Sequence, residues 1–167
     1  MKILRVQLIP KIRNVLLLSF ISIFISGCAI FGSSIDHAIE LTNEKEHEKA
    51  VQYLTGIIES GATPLTKAEA FMLRGENYTS LREYRYAYRD LQVAWKVSCE
   101  IYQSTPISET PPPTDNSTSS FSSAKACTET VPFLIDELKP FTSDFAAIMA
   151  TQEASALTKE HFPELAK

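Results

Sequence analysis

Side chains that could catalyse a reaction or bind a metal are sparse in this sequence. His37, His47 and His161 lie far apart, and none belongs to an H-E-x-x-H motif or to an i, i+4 ligand pair. His47 falls within a charged run, so we expect it to be solvated. The five glycines form neither a phosphate-binding loop nor a G-x-S-x-G motif, and acid pairs such as Glu44 and Glu48 have ordinary helix-surface spacing. We therefore expect no enzymatic activity, no cofactor and no metal site.

The N-terminal segment combines positive charge with a short apolar stretch. Residues 1–14 carry four basic side chains and no acid, and residues 15–25 are apolar apart from two serines. As a helix, this stretch of eleven residues would span roughly 16 Å, about half the hydrocarbon thickness of a bilayer. It is too short for a comfortable membrane span and has the length of the apolar region of a signal peptide.

The tetrad Ile25-Ser26-Gly27-Cys28 follows directly. It resembles the lipobox of bacterial lipoproteins, in which small residues admit the backbone to a peptidase site and the cysteine thiol carries a diacylglyceryl group. The alternative is an ordinary signal anchor with an incidental cysteine. The resemblance implies removal of residues 1–27 and attachment of Cys28 to a bilayer by several acyl chains, because a single chain anchors a protein only marginally. Within that family, Ala29 after the cysteine favours the outer membrane of the bacterial envelope, with the domain facing the periplasm.

Charge is divided unevenly along the chain. The net charge is −4, and because the first 27 residues hold four positive charges and no negative one, residues 28–167 carry −8. An acidic domain argues against nucleic acid as the main partner. The 167-residue length suits one domain, or one domain with a tail, and 44% apolar and 10% aromatic residues are ordinary for a globular protein.

The part of the chain after Cys28 is predicted to be helical. A short tether, 28–35, precedes a helical region, 36–103, in which apolar residues recur at spacings of three and four. Thr66 is expected to cap one of these helices, with Glu69 completing a capping box. Residues 104–123 contain four prolines and many Ser and Thr residues, which predicts a linker, and 124–167 are expected to form two more helices. No strand pattern is convincing, so the predicted class is all-α.

The most informative pattern lies in residues 68–101. Its aromatic, small and apolar positions are Phe71, Gly75, Tyr78, Ala87, Leu91 and Ala94. This spacing resembles the tetratricopeptide repeat, a helix–turn–helix unit of 34 residues in which small residues allow the two helices to approach. Arg74 departs from the leucine that is commoner in that family, and the closing proline is absent.

A weaker copy of the pattern fits residues 31–64 at an offset of 37 residues, where Ala50, Leu54 and Ile57 align with the second helix. The first helix of this copy matches poorly. We therefore expect about one and a half repeats with the C-terminal helices packed on as a cap, since roughly three units are needed for an autonomous stack.

Cys99 and Cys127 flank the Pro- and Ser-rich stretch. In an exported protein, this arrangement predicts a structural disulfide, which would stabilise the fold by about 3–4 kcal/mol in the chain-entropy treatment. The alternative is a pair of buried free thiols. Since there is no C-x-x-C motif, a redox-active pair is not expected.

Two surfaces are candidates for partner binding. The resemblance to tetratricopeptide repeats implies a ligand along the first helix of the unit, where helical phase selects Glu69, Met72, Glu76 and Thr79. A second candidate is a basic-aromatic face formed by Arg82, Arg85, Tyr86 and Arg89. This face is either simply solvated or a site for an anionic partner or lipid head groups.

Together these features resemble the adaptor and assembly-factor lipoproteins of bacterial envelopes. The expected function is protein–protein interaction, with a lipid bilayer bound through Cys28 and an unidentified envelope protein as the partner. One alternative is a pilotin-like accessory that escorts an outer-membrane secretion subunit by gripping a helix in a groove. Another is a non-catalytic subunit of a lipid-anchored envelope enzyme.

Overall fold

The computed structural model describes residues 35–105 and 121–165, and within these ranges all regular structure is helical, with no strand. This confirms the all-α class. The predicted lipid attachment point, Cys28, lies outside the described residues. The seven α-helices of the described ranges are α1 Ile35–Asn43, α2 His47–Glu59, α3 Pro64–Ser80, α4 Tyr84–Ser104, α5 Ser123–Lys125, α6 Val131–Leu138 and α7 Asp144–His161. Among them, none combines the length and hydrophobicity that spanning a bilayer requires.

Helices α1 and α2 form one hairpin and α3 and α4 form another, and the two turns share one geometry. Lys45 and Arg82, 37 residues apart, both adopt the left-handed backbone conformation, with φ of 63° and 62°. The following residue in each turn, Glu46 or Glu83, donates its backbone N–H to the carbonyl five residues earlier, at 2.9 Å in both cases. The 37-residue offset expected from the sequence therefore also relates the backbones of the two turns.

One position of the first helices corresponds at the same offset. Ala38 stands 37 residues before Gly75, and both residues are small and buried. A Cβ atom on Gly75 would lie 2.9 Å from Cγ of Leu91, so α3 and α4 approach each other closely at this point.

Helix α3 begins earlier than predicted. Its N-cap is Thr63, whose hydroxyl accepts a hydrogen bond from the backbone N–H of Thr66 at 3.2 Å. Pro64 occupies the first helical position, where its fixed φ favours the helix and its missing N–H costs nothing. The prediction of Thr66 as the cap is therefore wrong, and Glu69 lies too far into the helix to complete a capping box.

The C-terminal elements converge on α4. Helices α5, α6 and α7 all contact it, and the predicted disulfide is present, joining Cys99 of α4 to Cys127 with a Cα–Cα distance of 4.8 Å. Beyond α7, Phe162 is fully buried and its ring centroid lies 6.0 Å from that of Phe71 in α3. The C-terminal region is therefore attached to the core near its start by the disulfide and near its end by Phe162.

The turn that carries Cys127 is π-helical, Ala126–Thr130. In this i to i+5 pattern, the N–H of Val131 donates to the carbonyl of Ala126, and the carbonyl of Cys127 would next accept from residue 132. That residue is Pro132, which has no N–H. The indole Nε1 of Trp95 in α4 donates to the Cys127 carbonyl instead, at 2.9 Å. Disulfide and indole thus join the same two elements.

Candidate functional site

The four residues predicted for the partner-binding face differ in accessibility. Glu69 has only 9% of its surface exposed, because residues 68–71 form a complete helical turn that is buried on every side. Met72 is half-buried and packs against the core. Glu76 and Thr79 line an open groove. The expectation that Glu69 faces a partner is therefore wrong, and the accessible part of this face is the C-terminal half of α3.

The groove has a volume of about 430 Å³, within the range of roughly 300–1,000 Å³ that is usual for ligand-binding pockets in proteins. Its lining residues come from three helices and from the 3₁₀ turn after α6: Glu76, Thr79, Leu91, Leu134, Glu137, Leu138 and Phe141. We call this feature the α3–α6 groove. The sequence indicated the α3 side by helical phase and missed the α6 side, because Leu134 and Leu138 read as ordinary core positions.

Specific contacts hold the two walls of the α3–α6 groove in place. The close approach at Gly75 sets Leu91 of α4 against α3. Phe141 stacks on Tyr84 at the start of α4, with ring centroids 5.0 Å apart and an interplanar angle of 20°. We call the segment from Cys127 to Phe141 the arm. At its other end, the disulfide at Cys127 attaches the arm to α4. The α6 wall is therefore fixed to α4 at both ends.

The two ionisable side chains that line the groove are both acids. Burial raises the pKa of Glu76 above its ordinary value, and no described residue forms a hydrogen bond or ion pair with its carboxylate. Glu137 is exposed on the α6 side. The groove therefore presents an apolar floor of leucines and one phenylalanine, with a carboxylate on each of two facing elements.

Two arginines of the predicted basic-aromatic face are paired with carboxylates. Nη1 of Arg85 lies 2.5 Å from Oε1 of Glu153 in α7. Nε and Nη2 of Arg89 each lie 2.8 Å from Oδ1 of the buried Asp90. The guanidinium groups of both arginines also lie over the ring of Tyr86, at 4.7 and 5.0 Å from its centroid.

Arg85 and Arg89 therefore each have a carboxylate partner within the fold. Glu153 is 68 residues from Arg85 in sequence, whereas Asp90 directly follows Arg89. The Arg85 side chain is 39% exposed. Arg82 is exposed and lies in the turn before α4.

The histidines make contacts within the fold. Within residues 35–105 and 121–165, no cluster of three or more potential metal ligands occurs. His47 is half-buried, and its Nδ1 donates to Oδ1 of the fully buried Asn77 at 2.9 Å, so the expectation that it is solvated is wrong. His161 lies against Phe71, with ring centroids 5.8 Å apart, and burial lowers its pKa. Both contacts are structural, since they join separate helices.

Comparison with known proteins gives no further guidance on function. No known protein family, curated protein or solved structure matches this chain. The α3–α6 groove and the sequence features of residues 1–28 are therefore the observations that bear on function.

Proposed function

We propose that this protein is a lipid-anchored adaptor or assembly factor of the bacterial cell envelope that binds a segment of a partner protein in the α3–α6 groove. The observation that carries the proposal is the groove itself, an open, mostly apolar cleft on a small acidic domain. Clefts with apolar floors and a few polar groups at defined positions are the usual form of recognition sites.

The helical architecture supports this function. Two hairpins with the same turn, related by 37 residues, are consistent with tetratricopeptide-like units, a class in which stacked helices present binding surfaces. The C-terminal elements pack on α4, where a further unit of such a stack would be placed. In this proposal, α6 substitutes for a repeat helix and narrows an open concave face into a groove.

The lipid anchor supplies location. The basic segment, the short apolar stretch and Cys28 together support processing as a lipoprotein. Several acyl chains on Cys28 would hold the protein stably on the membrane, and we propose the outer membrane with the domain facing the periplasm. An anchored domain concentrates its partner at that surface without catalysing a reaction.

A pilotin-like accessory is the alternative within this proposal. The groove favours it in one respect, because an amphipathic helix from a single subunit is a common occupant of an apolar cleft. The two functions differ in consequence. A pilotin-like protein is required for the location of an outer-membrane secretion subunit, whereas an adaptor is required for the assembly of a complex whose subunits are already in place.

Site-specific photo-crosslinking in intact cells tests the groove. A crosslinking side chain at Thr79 and another at Glu137, which line opposite walls, should capture the same partner. Leu134→Glu should abolish capture, because it places a charge on the apolar wall. Phe133→Glu is the matched control, since Phe133 is the neighbouring residue, is 61% exposed and does not line the groove. Capture that survives Leu134→Glu would contradict the proposal.

The anchor is tested separately by Cys28→Ala. We expect this variant to lose acyl-chain incorporation, measured by labelling cells with a fatty-acid analogue. We also expect it either to keep residues 1–27 or to leave the membrane fraction, measured by fractionating membranes. Incorporation that persists in Cys28→Ala would contradict lipid attachment at this residue. It would leave the groove experiment unaffected.

A further inference from the structure

We propose that the occupant of the α3–α6 groove is a basic amphipathic segment of the partner, with a lysine or arginine between Glu76 and Glu137 and apolar side chains on the groove floor. This inference rests on the proposed function and specifies the chemistry of the ligand. It follows from the charge of the groove, the burial of Glu76 without a partner and the apolar side chains that line the groove.

The two carboxylates of the groove favour a ligand that carries a positive charge. Glu76 projects from α3 and Glu137 from α6, and the other lining residues are apolar except Thr79. The lysine nearest to Glu137 in sequence, Lys139, is already engaged, because its Nζ lies 2.6 Å from Oδ1 of Asp136. The acids of the groove therefore face the ligand without a compensating basic residue among those that line it.

A cationic ligand could also form a direct hydrogen bond with the buried carboxylate of Glu76. Its carboxylate is largely removed from water, with no hydrogen bond or ion pair from any described residue, and the raised pKa reflects that desolvation. Removing an ionised carboxylate from water without a partner is unfavourable. A lysine or arginine that reaches Glu76 would supply the missing charge-assisted hydrogen bond. A purely apolar occupant would instead bury the carboxylate further.

Apolar side chains in the groove accompany the acidic pair. Leu91, Leu134, Leu138 and Phe141 line the groove, and Phe141 is 62% exposed. Separately, Phe145 and Ile148 of α7 are three residues apart on one side of that helix and are 74% and 57% exposed. Apolar contacts next to a pair of carboxylates match the two faces of a basic amphipathic helix.

A second copy of this chain is a poorer occupant. Residues 28–167 carry a net charge of −8, so docking one copy in the acidic groove of another would bring like charges together. The observations therefore favour a different protein with a basic segment.

Binding of defined peptides to the full chain, purified in a non-ionic detergent with the disulfide intact, tests this inference. The probes are two fluorescently labelled amphipathic peptides of about 16 residues, long enough to form a helix. They share one leucine- and alanine-rich framework and differ in a single central residue, lysine in one and glutamine in the other. We expect the lysine peptide to bind about five- to tenfold more tightly, the size of one partly buried ion pair.

The protein variants assign that preference to the groove. The double variant Glu76→Gln/Glu137→Gln should bind both peptides equally, whereas Glu129→Gln, an exposed acid on the same arm, should keep the preference. The preference should also shrink at high salt. Unfolding midpoints of the variants show whether each is folded before binding is compared.

Equal binding of the two peptides to the unaltered chain would overturn the inference, as would a lysine preference that survives in the double variant. Absence of binding by both peptides, or self-association through the groove in sedimentation experiments, would overturn it as well. Each of these results is compatible with crosslinking of a partner at Thr79 and Glu137 in cells. Loss of that crosslinking is the separate outcome that would contradict the proposed function.

Discussion

Arg74 Nε donates a hydrogen bond to Oδ2 of Asp90 at 2.6 Å, and the two side chains are 8% and 0% exposed. The pair joins α3 to α4. Arg74 also donates from Nη1 to the hydroxyl of Thr55 in α2 at 2.9 Å, and its guanidinium lies 5.1 Å from the ring centroid of Phe71. The residue that departs from the tetratricopeptide pattern therefore connects three helices, and Asp90 is shared with Arg89.

The first prediction is that loss of Asp90 destabilises the fold more than loss of Arg74. Asp90→Ala leaves both Arg74 and Arg89 without their carboxylate inside the fold, and we expect a loss of about 3–5 kcal/mol in the free energy of unfolding. Arg74→Leu leaves Asp90 paired with Arg89, so its expected loss is smaller, about 1–3 kcal/mol. Urea unfolding of the two variants measures both values. A larger loss for Arg74→Leu than for Asp90→Ala would contradict this account.

The second prediction compares two glycines within helices. Gly75→Ala would place a Cβ atom 2.9 Å from Cγ of Leu91 and 3.3 Å from the carbonyl oxygen of Ala87, so we expect a loss of about 1–3 kcal/mol from overpacking. Gly56→Ala meets nothing within 4 Å and should stabilise α2 by about 0.5–1 kcal/mol through lower backbone entropy in the unfolded chain. Opposite shifts in the thermal midpoint confirm the close approach of α3 and α4, and shifts of the same sign count against it.

The third prediction concerns the disulfide. Cys99→Ser/Cys127→Ser should lower the free energy of unfolding by about 3–4 kcal/mol, because the unfolded chain gains conformational freedom. Since Trp95 donates to the carbonyl of Cys127, the emission of this single tryptophan should also shift as the arm loosens. Reductant applied to the unaltered chain should have the same effects. Cys28→Ser is the control, and a stability change in that variant would show that the cysteines pair differently.

The fourth prediction concerns pH. Burial raises the pKa of Glu76 above 4.5 in the folded state, so between 4.5 and the raised value the folded chain binds more protons than the unfolded chain. The stabilisation that this group contributes when protonated is therefore lost as the pH rises through that window. Glu76→Gln should be more stable than the unaltered chain near pH 7 and of similar stability near pH 4. Calorimetric unfolding at both pH values measures the difference, with the exposed Glu137→Gln as the control.

A loss of stability in Glu76→Gln at neutral pH would contradict the assignment. It would mean that the carboxylate makes a favourable contact in the folded chain. In that case Glu76 would no longer be available to a basic ligand, and the lysine preference of the peptides should be absent as well.

Much of the fold was predictable from local patterns. Apolar residues at spacings of three and four indicated the helices, and the small residues Gly75 and Ala87 marked where α3 and α4 meet. The start of α3 was misplaced because two threonines precede the apolar pattern, and Pro64 makes Thr63 the cap. The disulfide was predicted because assigning Cys28 to lipid attachment leaves Cys99 and Cys127 as the pair.

The candidate site was only half predictable. Glu76 and Thr79 follow from the helical phase of α3, whereas Leu134 and Glu137 lie almost 60 residues further along the chain. The burial of Glu69 and the pairing of Arg85 with Glu153 also depend on distant elements. Periodicity assigns a residue to a face of its own helix and does not show what covers that face.

By itself, the sequence determined the helical class and the division between a basic N-terminal segment and an acidic remainder. These depend on composition and on contacts within one or two turns of a helix, which are written locally in the chain. The sequence also predicted the pairing of Cys99 with Cys127, which forms because α4 and the turn at Cys127 pack together. Tertiary structure alone decided that Arg74 is paired with Asp90, that Arg85 is paired with Glu153, and that α6 forms the second wall of the groove. Those outcomes depend on which distant surfaces pack together, because burial and charge pairing are properties of the assembled helices.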